Sequence, residues 1–427
     1  MEKRGERAPK ALLPVAGKPI LEYQLQLLQS SGFTNILILT NHLSEQIEKF
    51  CKNRPTSGLT IRCLREEIPL GTAGALKAVE RYLPSDFLVL YGDELVQVDL
   101  KRFMRFHRDQ HRKYPTLVGT LAVHPNDHPM DSNLVEIDHS NRIQSFLTKP
   151  HPPERWFRNL VSTPLYALTP SVFRYIPSDV PSDLGRDTFP RVVSGHKDIL
   201  VAYPTPEYLK DIGTPKRLRE VTTDVRNGVF ARMSLGHKRP AIFLDRDGVI
   251  NKEVGDLRRL QDFELLPGVA KAIKKINQSG YLAVVISNQP VVAKGFCTYA
   301  DVLHIHKKME TLLGREGAKL DAIYFCPHHP DKGFKGENKN YKITCRCRKP
   351  KTGMITDAVK ELNIDVQKSV VIGDRTGDAK LAENLRIRFL GVKTGEALRD
   401  TTYELKQKPR ISKSLLTAVH VLLKARK

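Results

Sequence analysis

Three short apolar runs frame the second half of the chain. Residues 241–244, 282–286 and 369–372 each read as consecutive apolar positions with almost no polar interruption. Runs of this length without alternation predict strands buried on both faces, the habit of a parallel sheet covered by helices. In the first half, apolar strand candidates at 36–39, 87–91 and 116–123 alternate with helical stretches at 21–29, 73–81 and 100–111, which predicts another α/β domain. From Arg226-Asn227-Gly228 to Arg239-Pro240 the periodic pattern yields to Gly, Ser, basic residues and Pro, marking a boundary. Near the C-terminus Leu415, Leu416, Val419, Leu422 and Leu423 follow helical spacing behind Ser412 or Ser414 as a cap, predicting a docked helix with a basic outer face. A chain of 427 residues exceeds what one core usually serves, so at least two domains are expected.

The first run ends in Asp245-Arg246-Asp247-Gly248, at the strand end where an open α/β sheet places its chemistry. Alternation along an extended segment predicts that Asp245 and Asp247 lean to one side while Arg246 points away. Two such carboxylates can share a divalent cation or divide the roles of nucleophile and acid, although the same tetrapeptide also occurs as a turn or calcium-loop fragment. Downstream, the second run delivers Ser287-Asn288-Gln289, Arg348-Lys349-Pro350 supplies a lysine, and the third runs into Gly373-Asp374-Arg375-Thr376-Gly377-Asp378.

In order and strand context these motifs resemble those of the haloacid dehalogenase phosphohydrolases, over residues 240–395. The resemblance implies that Asp245 attacks phosphorus to form an aspartyl-phosphate, while Asp247 protonates the leaving oxygen and then deprotonates water. It places Ser287 and Asn288 on the transferring phosphoryl group and Lys349 between nucleophile and phosphate. Magnesium would bridge Asp245, the Asp247 main-chain carbonyl, Asp374 and a phosphate oxygen. Asp378 has three readings: contact with metal-bound water, orientation of Lys349, or a helix N-terminal charge.

Cys326-x-His328 and Cys345-x-Cys347 are separated by sixteen residues. Three thiolates and an imidazole suit a closed, structural zinc site. Half of the six cysteines fall in this loop, whose interior is too polar to fold around its own core. A Cys345–Cys347 disulfide is the alternative, with poor geometry for a one-residue spacer, and His329 is an alternative ligand to His328. Zinc-loop phosphatases beginning Asp-Arg-Asp-Gly-Val-Ile-Asn resemble two groups, D-glycero-D-manno-heptose 1,7-bisphosphate 7-phosphatases and histidinol-phosphate phosphatases. The basic cluster of Arg346, Arg348, Lys349 and Lys351 is either a holder for a second phosphate, Arg348 ahead of Arg346, or a solvated face. After Ser287-Asn288-Gln289 the heptose phosphatases commonly continue with Ser-Gly, whereas this chain has Pro290-Val291.

Residues 7–220 resemble sugar-phosphate nucleotidyltransferases through Pro9-Lys10-Ala11-Leu12-Leu13-Pro14, Leu70-Gly71-Thr72-Ala73-Gly74, Tyr91-Gly92-Asp93, Phe146-Leu147-Thr148-Lys149-Pro150 and Asp211-Ile212-Gly213-Thr214-Pro215. The resemblance implies Lys10 on phosphate, Gly71 in a nucleotide-side loop, Asp93 and Asp211 on magnesium, and Lys149 on the sugar phosphate. Thr148 stands where Glu is usual. The family's first strand and its Gly-x-Gly-Thr-Arg loop are not found before Lys10, so nucleotidyl transfer is expected to be impaired in the chain as it stands while sugar-phosphate binding through Lys149 survives.

The expected architecture is therefore α/β, with two Rossmann-like domains. A nucleotidyltransferase-like mixed sheet occupies 1–225, a linker 226–239, a haloacid dehalogenase-like parallel sheet with a zinc loop 240–395, and a basic tail 396–427. A sugar-activating module fused to a zinc-loop phosphatase favours heptose over histidinol phosphate, because the phosphatase makes the sugar 1-phosphate that the transferase consumes. Magnesium and zinc are the expected cofactors, with a small phosphorylated sugar and a nucleoside triphosphate as partners.

Charge changes this picture only at its edge. A net charge of +22 raises a nucleic-acid or acidic-membrane partner. The charge is dispersed, Trp156 is the sole tryptophan, and no motif interleaves aromatic with basic residues, so a specific nucleic-acid partner is not expected. Seven Lys or Arg and no acid lie in 406–427, which leaves surface-membrane association as a minority reading of the tail and a non-catalytic polyanion binder as a third function class. No apolar stretch reaches membrane-spanning length, residues 11–20 are broken by Pro14, Gly17, Lys18 and Pro19, and cysteines are few, so a reducing cytoplasm is the expected compartment.

Overall fold

The computed structural model describes residues 8–55, 58–333 and 335–424; the expected departure at residues 1–7 lies outside them. Two compact units emerge. One runs to His124 and continues through Val135–Leu147 and Ser162–Gly236; the other comprises Pro125–Leu134, Thr148–Val161 and the chain from His237 onward. Two short segments from within the first half of the sequence thus belong to the second unit. There Phe157 is fully buried, and Thr311 Oγ1 accepts its main-chain N–H at 2.9 Å.

The second unit holds a six-stranded, all-parallel sheet in the order Ala322–Cys326, Leu282–Asn288, Ala241–Leu244, Val370–Gly373, Arg388–Val392, Ile411–Ser412. Alternate residues of its central strands feed two separate cores, as the period of an extended chain requires. Ile242, Leu244, Ala283, Val285, Val370 and Ile372 pack with the helices Val269–Asn277, Tyr299–Arg315 and Leu415–Lys424, while Ala241, Phe243, Leu282, Val284, Ile286 and Val371 pack with Gly353–Leu362 and Thr376–Leu385. Every residue of Ala241–Leu244 is fully buried, and each such aliphatic or aromatic side chain contributes about 1.5–3 kcal/mol of burial free energy. The tail joins this sheet through Ile411–Ser412. Its helix buries Leu415, Ala418, Val419 and Leu422, and Ser414 caps it by accepting the Thr417 N–H.

The first unit contains a mixed six-stranded sheet: Ile199–Pro204 lies parallel to Leu117–His124, and Val161–Leu168 runs antiparallel to Phe87–Leu90. Among the described residues, the parallel pair Asn35–Thr40 and Thr60–Arg65 forms a sheet of its own. The expected linker contains a one-turn helix, Val229–Arg232, whose Phe230 packs edge-on against Tyr23 and Tyr208. Among the described residues no helix is long and apolar enough to cross a membrane.

Candidate active site and metal centres

Three adjacent strands of the parallel sheet deliver their last residues to one place. Asp245 follows Ala241–Leu244 and its N–H donates to Ile372 O on the neighbouring strand at 3.0 Å; Ser287 lies in Leu282–Asn288; Asp374 follows Val370–Gly373. Lys349 Nζ reaches into the same space, 2.8 Å from Asp245 Oδ1, 2.6 Å from Asp378 Oδ1 and 3.1 Å from Ile286 O. The Asp245, Lys349, Asp374 and Asp378 side chains are all buried. Asn288 sets Lys349 by its main chain, accepting the Lys349 N–H at 2.9 Å and donating to the Lys349 carbonyl at 3.2 Å. The side chain expected on phosphate is thus committed to positioning the lysine.

Asp245, Asp374 and Asp378 bring one carboxylate oxygen each within 4.8 Å of the others. Burial and then the Asp378 charge push Asp374 up to about 7, and the same two causes raise Asp245 well above the ordinary carboxylate range. Lys349, although burial acts to lower it, is raised by its two carboxylate partners. Asp374 Oδ2 accepts the Glu396 N–H at 2.7 Å, but its Oδ1 is buried without a hydrogen bond. Three carboxylates against one ammonium, with one oxygen unsatisfied, are the donor set a hard divalent cation takes. Asp378 combines two of its sequence readings: it pairs with Lys349, and its Oδ2 accepts the Arg375 N–H at the start of the helix Thr376–Leu385.

Gly248 makes the turn after Asp247 possible. Its φ of 74° is strained for other residues, and a Cβ there would collide with the Asp374 carboxylate. The turn closes through Gly248 N–H to Asn251 O at 2.8 Å and Ile250 N–H to Arg246 O at 2.8 Å.

The expected orientation of Arg246 is corrected. Its side chain is fully buried and curls back onto Asp247, with Nη2 2.9 Å from both carboxylate oxygens and from Gln289 Oε1, and Nη1 3.3 Å from His306 Nε2. Alternation fails because the strand stops at Leu244 and the tight turn re-aims the side chains. Asp247 therefore faces Arg246, Asn251 Nδ2 at 2.9 Å and Gln289 Nε2 at 2.8 Å, whereas Asp245 joins the lysine and carboxylate cluster. Burial acts to raise Asp247, but Arg246 and the Asn251 and Gln289 donors outweigh it and hold the carboxyl below its usual range. Gln289 Nε2 also donates to Ser287 Oγ at 2.8 Å, leaving the Ser287 O–H to donate. Arg246, Asn251, Gln289 and His306 were not singled out from sequence; their proximity to the motif residues was the available signal for the first three.

Cys326, His328, Cys345 and Cys347 converge, with Sγ separations of 3.2–3.5 Å and His328 Nδ1 3.4 Å from Cys347 Sγ and 3.7 Å from Cys326 Sγ. These edges are near the roughly 3.8 Å expected of a tetrahedron with zinc–sulfur bonds of about 2.3 Å. All three cysteines are free thiols, which removes the disulfide alternative, and His329 turns to Asp331 instead of joining the cluster. Arg346 is engaged bidentately by Asp357, and Arg348 donates to His328 O at 3.4 Å.

In the first unit, Lys10 Nζ lies 3.2 Å from Asp93 Oδ2. Asp211 follows in register opposite Glu94, and Ile212 N–H donates to Asp93 O at 3.1 Å, so the two expected metal carboxylates sit on neighbouring chain ends. Asp211 is paired with Arg217 at 2.5 Å. Gly71 opens the helix Gly71–Ala78 with a φ of 73°, and a Cβ there would press on Ser182 O. Lys149 belongs to the second unit, where its Nζ donates to Asp131 O at 2.8 Å.

A lysine set among three buried carboxylates, two of them at parallel strand ends and one in the helix that follows, fits a phosphoric monoester hydrolase. Comparison with known proteins carries this further. The nucleotidyl transferase family profile matches residues 5–228, and the HAD-hydrolase-like profile matches 346–418. A D-glycero-beta-D-manno-heptose-1,7-bisphosphate 7-phosphatase of Yersinia pestis is 40% identical over 159 residues, which are 37% of this chain and 82% of that protein. A solved D,D-heptose 1,7-bisphosphate phosphatase from B. bronchiseptica, complexed with magnesium and phosphate, is 31% identical with a TM-score of 0.38, covering 44% of this chain and 99% of that one. A putative glucose-1-phosphate thymidylyltransferase from Bacillus anthracis is 20% identical with a TM-score of 0.46, covering 53% of this chain and 90% of that one. The chain belongs to the nucleotidyl transferase family through its first half and, through its second, to the haloacid dehalogenase phosphohydrolase family that includes the heptose-bisphosphate phosphatases.

Proposed function

We propose that the second unit hydrolyses the 7-phosphate of D-glycero-D-manno-heptose 1,7-bisphosphate, leaving a heptose 1-phosphate of the kind the nucleotidyltransferase half would take as substrate. The observation that carries the reading is Asp245, buried at the end of the central strand against Lys349. Similarity to the heptose-bisphosphate phosphatases supports the substrate.

Asp245 attacks phosphorus, the bond to the sugar oxygen breaks, and an aspartyl-phosphate forms. Ser287 O–H and Lys349 Nζ hold the phosphoryl oxygens. Asp247 rests as a carboxylate in the grip of Arg246. An arriving phosphate raises its pKa by repulsion, so Asp247 takes up a proton from solvent as the substrate binds and delivers it to the leaving sugar oxygen. As a carboxylate again, it takes a proton from the water that attacks the acyl phosphate, releasing phosphate and restoring Asp245. Asp245, Asp374 and the Asp247 main-chain carbonyl would hold magnesium, which supplies charge neutralisation between phosphate and nucleophile. Cys326, His328, Cys345 and Cys347 would hold zinc as a structural ion.

The test is phosphate release from the heptose bisphosphate and from histidinol phosphate by wild-type protein and Asp245→Asn. The expected outcome is preference for the bisphosphate and loss of turnover in the variant with zinc content and fold retained. Faster turnover of histidinol phosphate would refute the substrate.

A further inference from the structure

We propose that Asp86, His107 and His111 form a separate site for a divalent transition-metal ion of the zinc class in the first unit. His107 and His111 stand four residues apart on the helix Leu100–Lys113, the spacing that aligns two side chains on one face. Asp86 immediately precedes the strand Phe87–Leu90, and its Oδ2 lies 3.3 Å from His107 Nε2 and 3.1 Å from His111 Nδ1. The ligand atoms of all three residues fall within 4.8 Å of one another. Two imidazoles and a carboxylate are a borderline-soft donor set that suits zinc, nickel or cobalt better than magnesium or calcium.

The buried end of the cluster points to an ion independently of that spacing. His107 is fully buried, and its Nδ1 sits 2.9 Å from Thr120 Oγ1. In the tautomer that donates its Nδ1 proton to Thr120, the Nε2 lone pair faces the Asp86 carboxylate. This is how a partner on the far nitrogen orients a metal-ligating histidine. His107 Nε2 is buried and makes no hydrogen bond, although Asp86 Oδ2 lies 3.3 Å away. A cation between the two acceptors converts that repulsion into coordination. The other side is open, since His111 is 39% and Asp86 27% exposed, so an ion can enter and water can complete its shell. Bound there, it would tie the helix to the residue that leads into the strand Phe87–Leu90.

Equilibrium dialysis of the full-length protein against zinc, with metal measured by atomic emission, tests the assignment. Wild type is expected to hold one more zinc per chain than His111→Ala or Asp86→Asn, or to bind that ion at least about tenfold more tightly, the order of effect that metal-site substitutions carry. Zinc should also raise the melting temperature of the wild type more than that of the variants. The thiolate cluster is common to all three proteins, so its occupancy cancels. Both substitutions lie on partly exposed residues, and circular dichroism of the metal-free proteins confirms that the fold is kept. Equal zinc content and affinity in wild type and both variants would overturn the site.

Discussion

Arg246 shows how one side chain can decide the chemistry of its neighbour. A fully buried guanidinium would be costly alone, and Asp247, Gln289 and His306 surround it. Replacing it, as in Arg246→Met, is expected to cost roughly 3 kcal/mol of stability in urea denaturation, the low end for a broken buried pair, because the partly buried Asp247 charge loses its cation but keeps Asn251 and Gln289. The same change removes the group that lowers the Asp247 pKa. The acidic limb of the pH–rate profile should therefore move to higher pH, since deprotonated Asp247 then appears later as pH rises. A stability loss with an unmoved acidic limb would show that Asp247 is not the titrating base.

Legibility from sequence divides at the same residues. Asp245, Ser287, Lys349 and Asp374 could be found because each follows or ends an apolar strand, or stands in a motif of fixed order, and the sheet brings such ends together. The orientation of Arg246 was misjudged because strand periodicity was extended past Leu244 into a turn. The hold of the Asn288 amide on the Lys349 main chain is a tertiary contact that its motif position does not reveal. His306 acts through a long-range contact that no local pattern announces, and the pairing of Asp86 with the two histidines is likewise tertiary.

Among the elements, the proposed zinc loop is the one whose fold would depend on metal chemistry instead of packing. Between Cys326 and Lys349 most side chains are polar, and much of the loop is exposed. Stripping zinc with a strong chelator, or Cys347→Ser, should expose this loop to limited proteolysis while the six-stranded sheet resists. Because Lys349 is two residues beyond Cys347, phosphatase activity should fall as well, and magnesium alone should not restore it. Full activity in zinc-free protein would separate the loop from the site. In the C-terminal segment the expected docked helix is present, Leu415–Lys424, and the short strand Ile411–Ser412 before it adds to the sheet.

At the scale of the whole molecule, the net charge of +22 is the property least used by any single contact. Its physical effect is a field that concentrates anions such as phosphorylated sugars. Salt shortens that field to a Debye length of about 10 Å near 0.1 M, so KM for a bisphosphate substrate should rise with ionic strength while kcat changes little. Steady-state kinetics across a sodium chloride series checks this, and a salt-independent KM would assign the charge elsewhere. The alternation of apolar runs with helices made both α/β halves readable. The inclusion of Pro125–Leu134 and Thr148–Val161 in the second unit was not, because it depends on where loops pack.

Asn288 faces Cys326 across two strands and also clasps both main-chain groups of Lys349. The zinc-bearing excursion thus departs from and returns to a single residue, like a handle fixed at one hinge. With the four Cys and His side chains kept, changes elsewhere in its interior are expected to leave Lys349 held by Asn288. Variation there offers a route to new substrate preference that leaves the bond-breaking geometry in place.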